Sequence, residues 1–313
     1  MANAGPAIEV KNLRKSFGNT IVLDGIDFSV PQGAVFSLLG PNGAGKTTVI
    51  NILTTLLRAD GGTAMVNGFD VAKHEAEVRE SISLTGQFAA VDYLLTGREN
   101  LVLIGELRHV TNPAGTAEAL LGQFGLAEAA DRRTSTYSGG MRRKLDIALG
   151  LIGDPAIIFF DEPTAGLDPE SRNMTWDTIK SLADAGKTIF LTTQYLEEAD
   201  RLADKIAILS HGRIAAEGTP QALKTMVPQG QIELRFADQT QLAMAGRVLA
   251  DRHPSRSESA LSLTISTDGS VSQVSRLFSS LETAKVEVAE FAQKSPTLDD
   301  AFLQIISDRK GEP

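Results

Sequence analysis

The stretch Gly40-Pro41-Asn42-Gly43-Ala44-Gly45-Lys46-Thr47-Thr48 fits the template G-x-x-x-x-G-K-[ST], and its flanks say where it sits. Val35-Phe-Ser-Leu-Leu39 reads as a strand and Val49-Ile-Asn-Ile-Leu53 as the continuation of a helix. Backbone N–H groups in such a strand-to-helix turn point inward, at the positive end of a helix dipole. The loop is therefore a socket for a polyphosphate. Lys46 is placed to reach the β- and γ-phosphates as a point charge, and the Thr47 hydroxyl to help hold Mg²⁺.

Further along, Tyr137-Ser138-Gly139-Gly140-Met141 precedes a helical run from Arg142 to Gly150, with Ser138 at the N-cap position. Ala156-Ile-Ile-Phe-Phe160 is a continuous apolar run that suits a buried parallel strand, and it ends in the carboxylates Asp161 and Glu162. Pro163-Thr-Ala-Gly-Leu-Asp168 follows directly, and Gln87 stands between the phosphate loop and the Ser-Gly-Gly element. This order resembles the ATPase subunits of ATP-binding-cassette (ABC) transporters over roughly residues 8 to 226. Three details are similar to the daunorubicin-resistance type of exporter ATPase. These are Met141 ending the Ser-Gly-Gly element, Gln194 within Thr192-Thr-Gln-Tyr-Leu-Glu-Glu-Ala-Asp200, and Pro296-Thr-Leu-Asp-Asp-Ala-Phe-Leu303 near the end.

The resemblance implies a role for each part. Phe17 occupies the place of the aromatic that stacks on adenine, an interaction worth roughly 1–3 kcal/mol elsewhere. Residues Gly40 to Thr48 cradle the phosphates of ATP; Thr47, Asp161 and Gln87 serve Mg²⁺, and Gln87 links the metal to the helical part. Glu162 polarises or deprotonates the attacking water. Ser138, Gly139 and Gly140 close on ATP bound by a second ATPase subunit, and Asp168 sits at that shared interface. Gln194 stands where most relatives carry a histidine; the chain's histidines are His74, His109, His211 and His253, none at that position. A neutral amide can donate a hydrogen bond but cannot become a cation, so a slow but working hydrolase is expected.

Composition agrees with this assignment. The chain has 313 residues, room for a large domain and a small one. Its apolar runs are far shorter than the roughly 20 residues a bilayer crossing needs. The first residues, Met1 to Ala7, lack the basic and apolar parts of a signal peptide. There is no cysteine, which permits cytoplasmic residence. A formal charge of −9 argues against broad nucleic-acid binding. The basic clusters Arg132-Arg133 and Arg142-Arg143-Lys144 read first as a solvated helix face, with contact to an anionic lipid or partner as the alternative.

The pattern along the chain gives an α/β phosphate-loop NTPase core with a parallel central sheet, built from residues 8–86 and 156–226. Ile8–Val10, Ile21–Val30 and Ala64–Val66 form a flanking antiparallel layer. An inserted helical subdomain covers about 88–150, with Leu101, Ile104, Gly105 and Leu107 on one face. Beyond Pro228 a small α+β module is expected. Its strands are Ile232–Phe236, Leu261–Ile265 and Val286–Phe291, its aromatic set is Phe236, Phe278, Phe291 and Phe302, and Thr297 caps a last helix. The boundary expected is 1–227 for the nucleotide-binding domain and 228–313 for the accessory domain.

The chain thus reads as the ATP-hydrolysing subunit of an exporter. It works as a dimer with itself or a paralogue, docked on a membrane permease at the cytoplasmic face, and moves a drug, antibiotic or lipid-like compound. The alternative is an ATP-dependent dimerising clamp with negligible hydrolysis. Soluble two-cassette ABC proteins fit less well, since the chain has one cassette, no Cys and no sustained heptads.

Overall fold

The computed structural model describes residues 5–86, 90–226, 230–267, 270–294 and 296–309. The first elements in chain order are β1 (Ile8–Phe17), β2 (Thr20–Val30), β3 (Val35–Leu39), α1 (Lys46–Leu53), β4 (Gly61–Val66), β5 (Phe69–Asp70), α2 (Glu75–Ser81) and β6 (Ile82–Thr85). Next come α3 (Gly97–Leu107), α4 (Pro113–Gln123), α5 (Gly139–Gly150), β7 (Ile157–Asp161), α6 (Pro169–Asp184), β8 (Thr188–Thr193), α7 (Leu196–Leu202), β9 (Lys205–Ser210), β10 (Arg213–Gly218) and α8 (Pro220–Thr225). The last are β11 (Gly230–Arg235), α9 (Gln239–Val248), β12 (Ser255–Ser257), β13 (Ser262–Thr267), α10 (Val271–Thr283), β14 (Glu290–Lys294) and α11 (Leu298–Arg309). Contacts divide the chain into two compact units, Met1–Pro220 and Gln221–Pro313.

The central sheet of the first unit has the order β10-β9-β3-β8-β7-β6, parallel from β9 to β6, with β10 antiparallel at one edge. Side chains alternate across a strand, so a run that is apolar throughout must feed a core on each face. Phe36, Ile157, Phe159 and Phe190 point into one core with α1 and the antiparallel sheet β2-β1-β4-β5. Val35, Ile158, Phe160, Ile189 and Leu191 point into the other, with the helices of the 97–182 region. In the first core Phe28, Phe36, Phe190 and Phe159 form a ladder with ring centroids 5.3–5.4 Å apart, each contact worth about 0.5–1.5 kcal/mol beyond burial.

The helices begin where capping chemistry allows. Thr96 and Glu99 form a reciprocal capping box at α3, Asn112 caps α4 ahead of Pro113, and Asp168 caps α6 ahead of Pro169. Leu107 is 66% exposed, unlike Leu101 and Gly105. Six residues beyond Leu101 at 3.6 per turn, it lies about 120° away around the helix.

In the second unit β12-β13-β11-β14 form an antiparallel sheet covered by α9 and α10, with Ile232, Leu234, Leu263, Ile265, Leu277 and Leu281 at the centre. The strand expected over Val286–Phe291 begins instead at Glu290. The segment before it closes α10: Lys285 has φ 53°, Lys285 N donates to Glu282 O and Val286 N to Leu281 O, both at 2.9 Å. That is a left-handed helix stop with an apolar contact across it, and it takes Val286 out of the ladder. Phe236 is buried, and Phe278 meets the 45% exposed Phe291 edge-on at 5.1 Å. Thr297 caps α11, accepting from Asp300 N at 3.2 Å while its own hydroxyl donates to Asp300 Oδ2 at 2.7 Å.

Candidate active site

Three strands of the parallel sheet end at one edge. β3 runs into the phosphate loop, β7 ends on Asp161, and β8, lying between them, ends on Thr193. Gly40 N donates to Thr193 O at 3.2 Å and Glu162 N to Thr192 O at 3.1 Å, so the ends are tied together. A Cβ at Gly40 would stand 2.4 Å from Leu209 O, and Gly45, at φ 107°, caps α1 with no side chain of its own. The first N–H groups of α1 therefore face a concavity of about 500 Å³ lined by Asn42, Gly43, Gly45, Lys46, Thr47, Thr48 and Glu162. This is a cradle shaped for phosphate oxygens. Pro41 and Ala44 shape the turn behind it: Ala44 N donates to Pro41 O at 3.2 Å.

Lys46 is only 4% exposed, and its ammonium donates to Gly40 O at 2.9 Å and Pro41 O at 3.1 Å and pairs with Glu162 Oε1 at 3.2 Å. Asp161 Oδ1 accepts from Thr192 Oγ1 at 2.6 Å and from Thr47 Oγ1 at 3.4 Å. Glu162 has φ 49°, a left-handed conformation that a glutamate adopts at a cost of order 1–3 kcal/mol. Its N–H bonds to Thr192 hold it there.

Glu162 also borders a second concavity, of about 630 Å³, with Gly139 and Arg142 of α5 and Ala165, Gly166 and Leu167 of the following turn. Ser138 caps α5 by accepting from Met141 N at 3.2 Å. A Cβ at Gly140 would lie 2.5 Å from the Met174 Cε methyl and would have to push that flexible side chain aside, while Gly139 faces open space. Asp168 accepts from Ser171 N at 2.9 Å and Ser171 Oγ at 2.7 Å, and the Ser171 N–H foremost holds its carboxyl below the usual range. Gln194 follows β8 directly and is half-buried. Phe17 ends β1 with its ring 51% exposed and Lys15 Nζ 5.5 Å from the centroid; it does not line the phosphate concavity. Gln87 lies outside the described residues.

The sequence pattern of the ABC transporter family matches residues 23–165. The daunorubicin/doxorubicin resistance ATP-binding protein DrrA of Streptomyces peucetius is 46% identical over 96% of this chain and 92% of that protein. The chain belongs to this family of ABC transporter ATP-binding proteins. The doxorubicin resistance ATP-binding protein DrrA of Mycobacterium tuberculosis is 42% identical over 98% of this chain and 96% of its own. Among solved structures, the ADP conformation of an ATP-binding cassette of an ABC transporter superimposes with TM-score 0.63 at 28% identity, over 69% of this chain and 92% of that one. The chain is accordingly an ATP-binding ATPase of the exporter kind.

Several residues that serve this ABC ATPase escape a motif reading. Thr192, given no role by the sequence, orients both Asp161 and Glu162. Arg143, expected on a solvated face, is mostly buried and pairs with the buried Asp146 at 3.0 Å, and Arg142 lies 5.7 Å from the ring of Tyr93. Arg143 faces inward because α5 packs on the helical core with Leu145, Ile147 and Leu149, while Arg142 and Lys144 stay half-buried. Asp146 Oδ1 accepts from Ala90 N at 2.8 Å. Burial pushes the Asp146 carboxyl up and the Arg143 guanidinium down, so the desolvation of each outweighs their attraction.

Proposed function

We propose that this ATPase powers export of a drug, antibiotic or lipid-like compound through a separate membrane permease, as one half of a dimer that closes around ATP. The observation that carries this is the place of Glu162, which borders both the phosphate cradle and the concavity at Gly139. A carboxylate so placed serves one nucleotide from its own loop while the Ser138-Gly139-Gly140 end of α5 offers a helix N-terminus to a nucleotide held by a second subunit. Transport rather than a hydrolysis-free clamp is supported by relatives that carry drug-resistance names.

In this reading the N–H groups of Gly43 to Thr48 and the Lys46 ammonium bind the phosphates. Mg²⁺ would be held by Thr47 and Asp161, with Gln87, and would neutralise charge developing on the phosphate oxygens. One oxygen from each of Thr47, Asp161 and Gln87 would be too few for an octahedral ion, so phosphate and water would complete its shell. Glu162 takes the proton of the attacking water, and the Gln194 amide donates toward the terminal phosphate. Asp168 stands at the subunit interface and Phe17 stacks on adenine. Among the described residues no helix is long and apolar enough to cross a membrane, which suits a peripheral subunit held at the cytoplasmic face by its permease. Residues 1–227 form the nucleotide-binding domain, and 228–313 an accessory domain that steadies the dimer or docks the permease.

Glu162→Gln tests the scheme. It retains ATP binding, slows turnover about 10²–10⁴-fold, and accumulates a dimer in size-exclusion chromatography with ATP and Mg²⁺. A variant that stays monomeric while saturated with ATP overturns the sandwich, and wild type that releases no phosphate from ATP overturns the motor.

A further inference from the structure

Glu198 lies on α7, yet its side chain turns inward and is wholly buried, at 0% exposure. Its Oε1 accepts from Thr164 Oγ1 at 2.8 Å and from Trp176 Nε1 at 2.9 Å. Thr164 belongs to the turn that leaves Glu162, a turn closed by Ala165 N donating to Glu162 O at 3.1 Å and Leu167 N to Thr164 O at 3.2 Å. Trp176 is on α6, the helix that Asp168 caps. Glu198 Oε2, equally buried, has no hydrogen-bond partner among the described residues; the Thr193 hydroxyl nearby accepts from Tyr195 N at 2.9 Å and so shapes the turn holding Gln194. Burial pushes the Glu198 carboxyl upward, against the pull of Thr193, Trp176, Thr164 and the charge of Arg172.

A buried acid is a costly way to fill space, and an apolar side chain of similar volume serves packing at least as well. What an apolar side chain cannot do is tie separate segments to one point. We propose that Glu198 is a positioning residue for ATP hydrolysis. It joins the turn after Glu162 and the helix after Asp168 to α7, the helix that follows Gln194, fixing the general base and the γ-phosphate ligand relative to each other. Arg172 stacked on Tyr195 at 5.3 Å and Arg201 on Trp176 at 4.8 Å brace the same α6–α7 seam. The inference rests on the ATPase reading of this site.

The test compares Glu198→Ala and Glu198→Gln in the full chain, with ATP affinity measured apart from turnover. Glu198→Ala is expected to lower kcat about tenfold or more while KM for ATP moves less than about threefold, the pattern of a lost transition-state interaction. Glu198→Gln, whose amide oxygen still accepts from Thr164 and Trp176, restores most of the rate. Trp176 is the chain's single tryptophan. Its emission therefore reports the seam directly, shifting in the alanine variant and staying near wild type in the glutamine variant. Should the alanine variant fail to fold, Thr164→Val and Trp176→Phe each remove one donor, and each should lower kcat severalfold at unchanged ATP affinity. Wild-type kcat in the folded alanine variant, or in both donor variants, overturns the proposal. So does a glutamine variant as slow as the alanine one, or a loss confined to KM. A wild-type chain without turnover instead faults the ATPase reading itself.

Discussion

The Lys46 ammonium stands 3.2 Å from Glu162 Oε1, and both groups are almost sealed from water. The proposed phosphate-binding charge and the proposed base thus hold each other, so neither can be altered without consequence for the other. Removing one partner of such a pair leaves the remaining charge uncompensated. Lys46→Ala is expected to abolish measurable turnover and to weaken ATP binding about tenfold or more. Lys46→Arg should not restore it, because a planar guanidinium cannot replace a compact ammonium bonded to Gly40 O and Pro41 O. Fluorescent-nucleotide titration beside a phosphate-release assay reads both effects. A Lys46→Ala variant with wild-type affinity would remove the phosphate loop from the mechanism.

Gln194 offers a sharper comparison. Gln194→Ala should lower turnover roughly tenfold, about 1.4 kcal/mol, with a smaller effect on ATP affinity. Gln194→His should remain active. Equal rates in wild type and the alanine variant would leave this position without a catalytic part.

Arg143 and Asp146 make a stability prediction. Asp146→Ala strands the mostly buried guanidinium and frees the N–H of Ala90, and is expected to destabilise the chain by about 3–5 kcal/mol. Arg143→Met combined with Asp146→Leu removes both desolvation costs and should recover much of that loss in urea unfolding. A double variant no better than the single one shows that the Ala90 bond, rather than the orphaned charge, dominates.

Much of this was legible in advance. The phosphate loop, the strand ending in Asp161 and the caps Ser138 and Thr297 are local, and their chemistry is complete within a few residues. The misses share a different cause. Arg143 looks solvated until α5 has a core to lie on, and Val286 looks like a strand residue until Lys285 turns left-handed. Thr192 and Glu198 acquire their partners only across the fold, between 22 and 34 residues away, and Asp146 reaches Ala90 across 56. Glu198 left one clue. With Tyr195, Ala199 and Leu202 it shares the inner face of a helical period, where an apolar residue belongs.

Asp168 predicts a pH effect. Its carboxyl is held below the usual range by the Ser171 N–H first of all. A depressed folded-state value stabilises the fold above the unfolded value, near pH 4, and that contribution is lost as pH falls further. Wild type should therefore exceed Asp168→Asn in stability at pH 7 and converge with it as pH falls through the depressed value. A constant difference across that window would show that Asp168 acts as a neutral cap only.

A chain ended after Val227 should fold and bind ATP, while losing dimer stability or association with the permease. Co-purification from membranes beside size-exclusion chromatography separates the two losses. A folded but nucleotide-blind fragment would place part of the site in the second unit.

The strand order carries a consequence for biosynthesis. β3 is flanked by β8 and β9, which follow it in the chain by about 150 residues. At translation speeds of about 5–20 residues per second, it leaves the ribosome roughly ten seconds or more before either neighbour exists. Through that interval its five apolar-run residues, all buried in the finished fold, have no partner strand. A nascent chain interrupted before Thr188 therefore carries Asp161 and Glu162 but not Thr192, whose hydroxyl and carbonyl orient them.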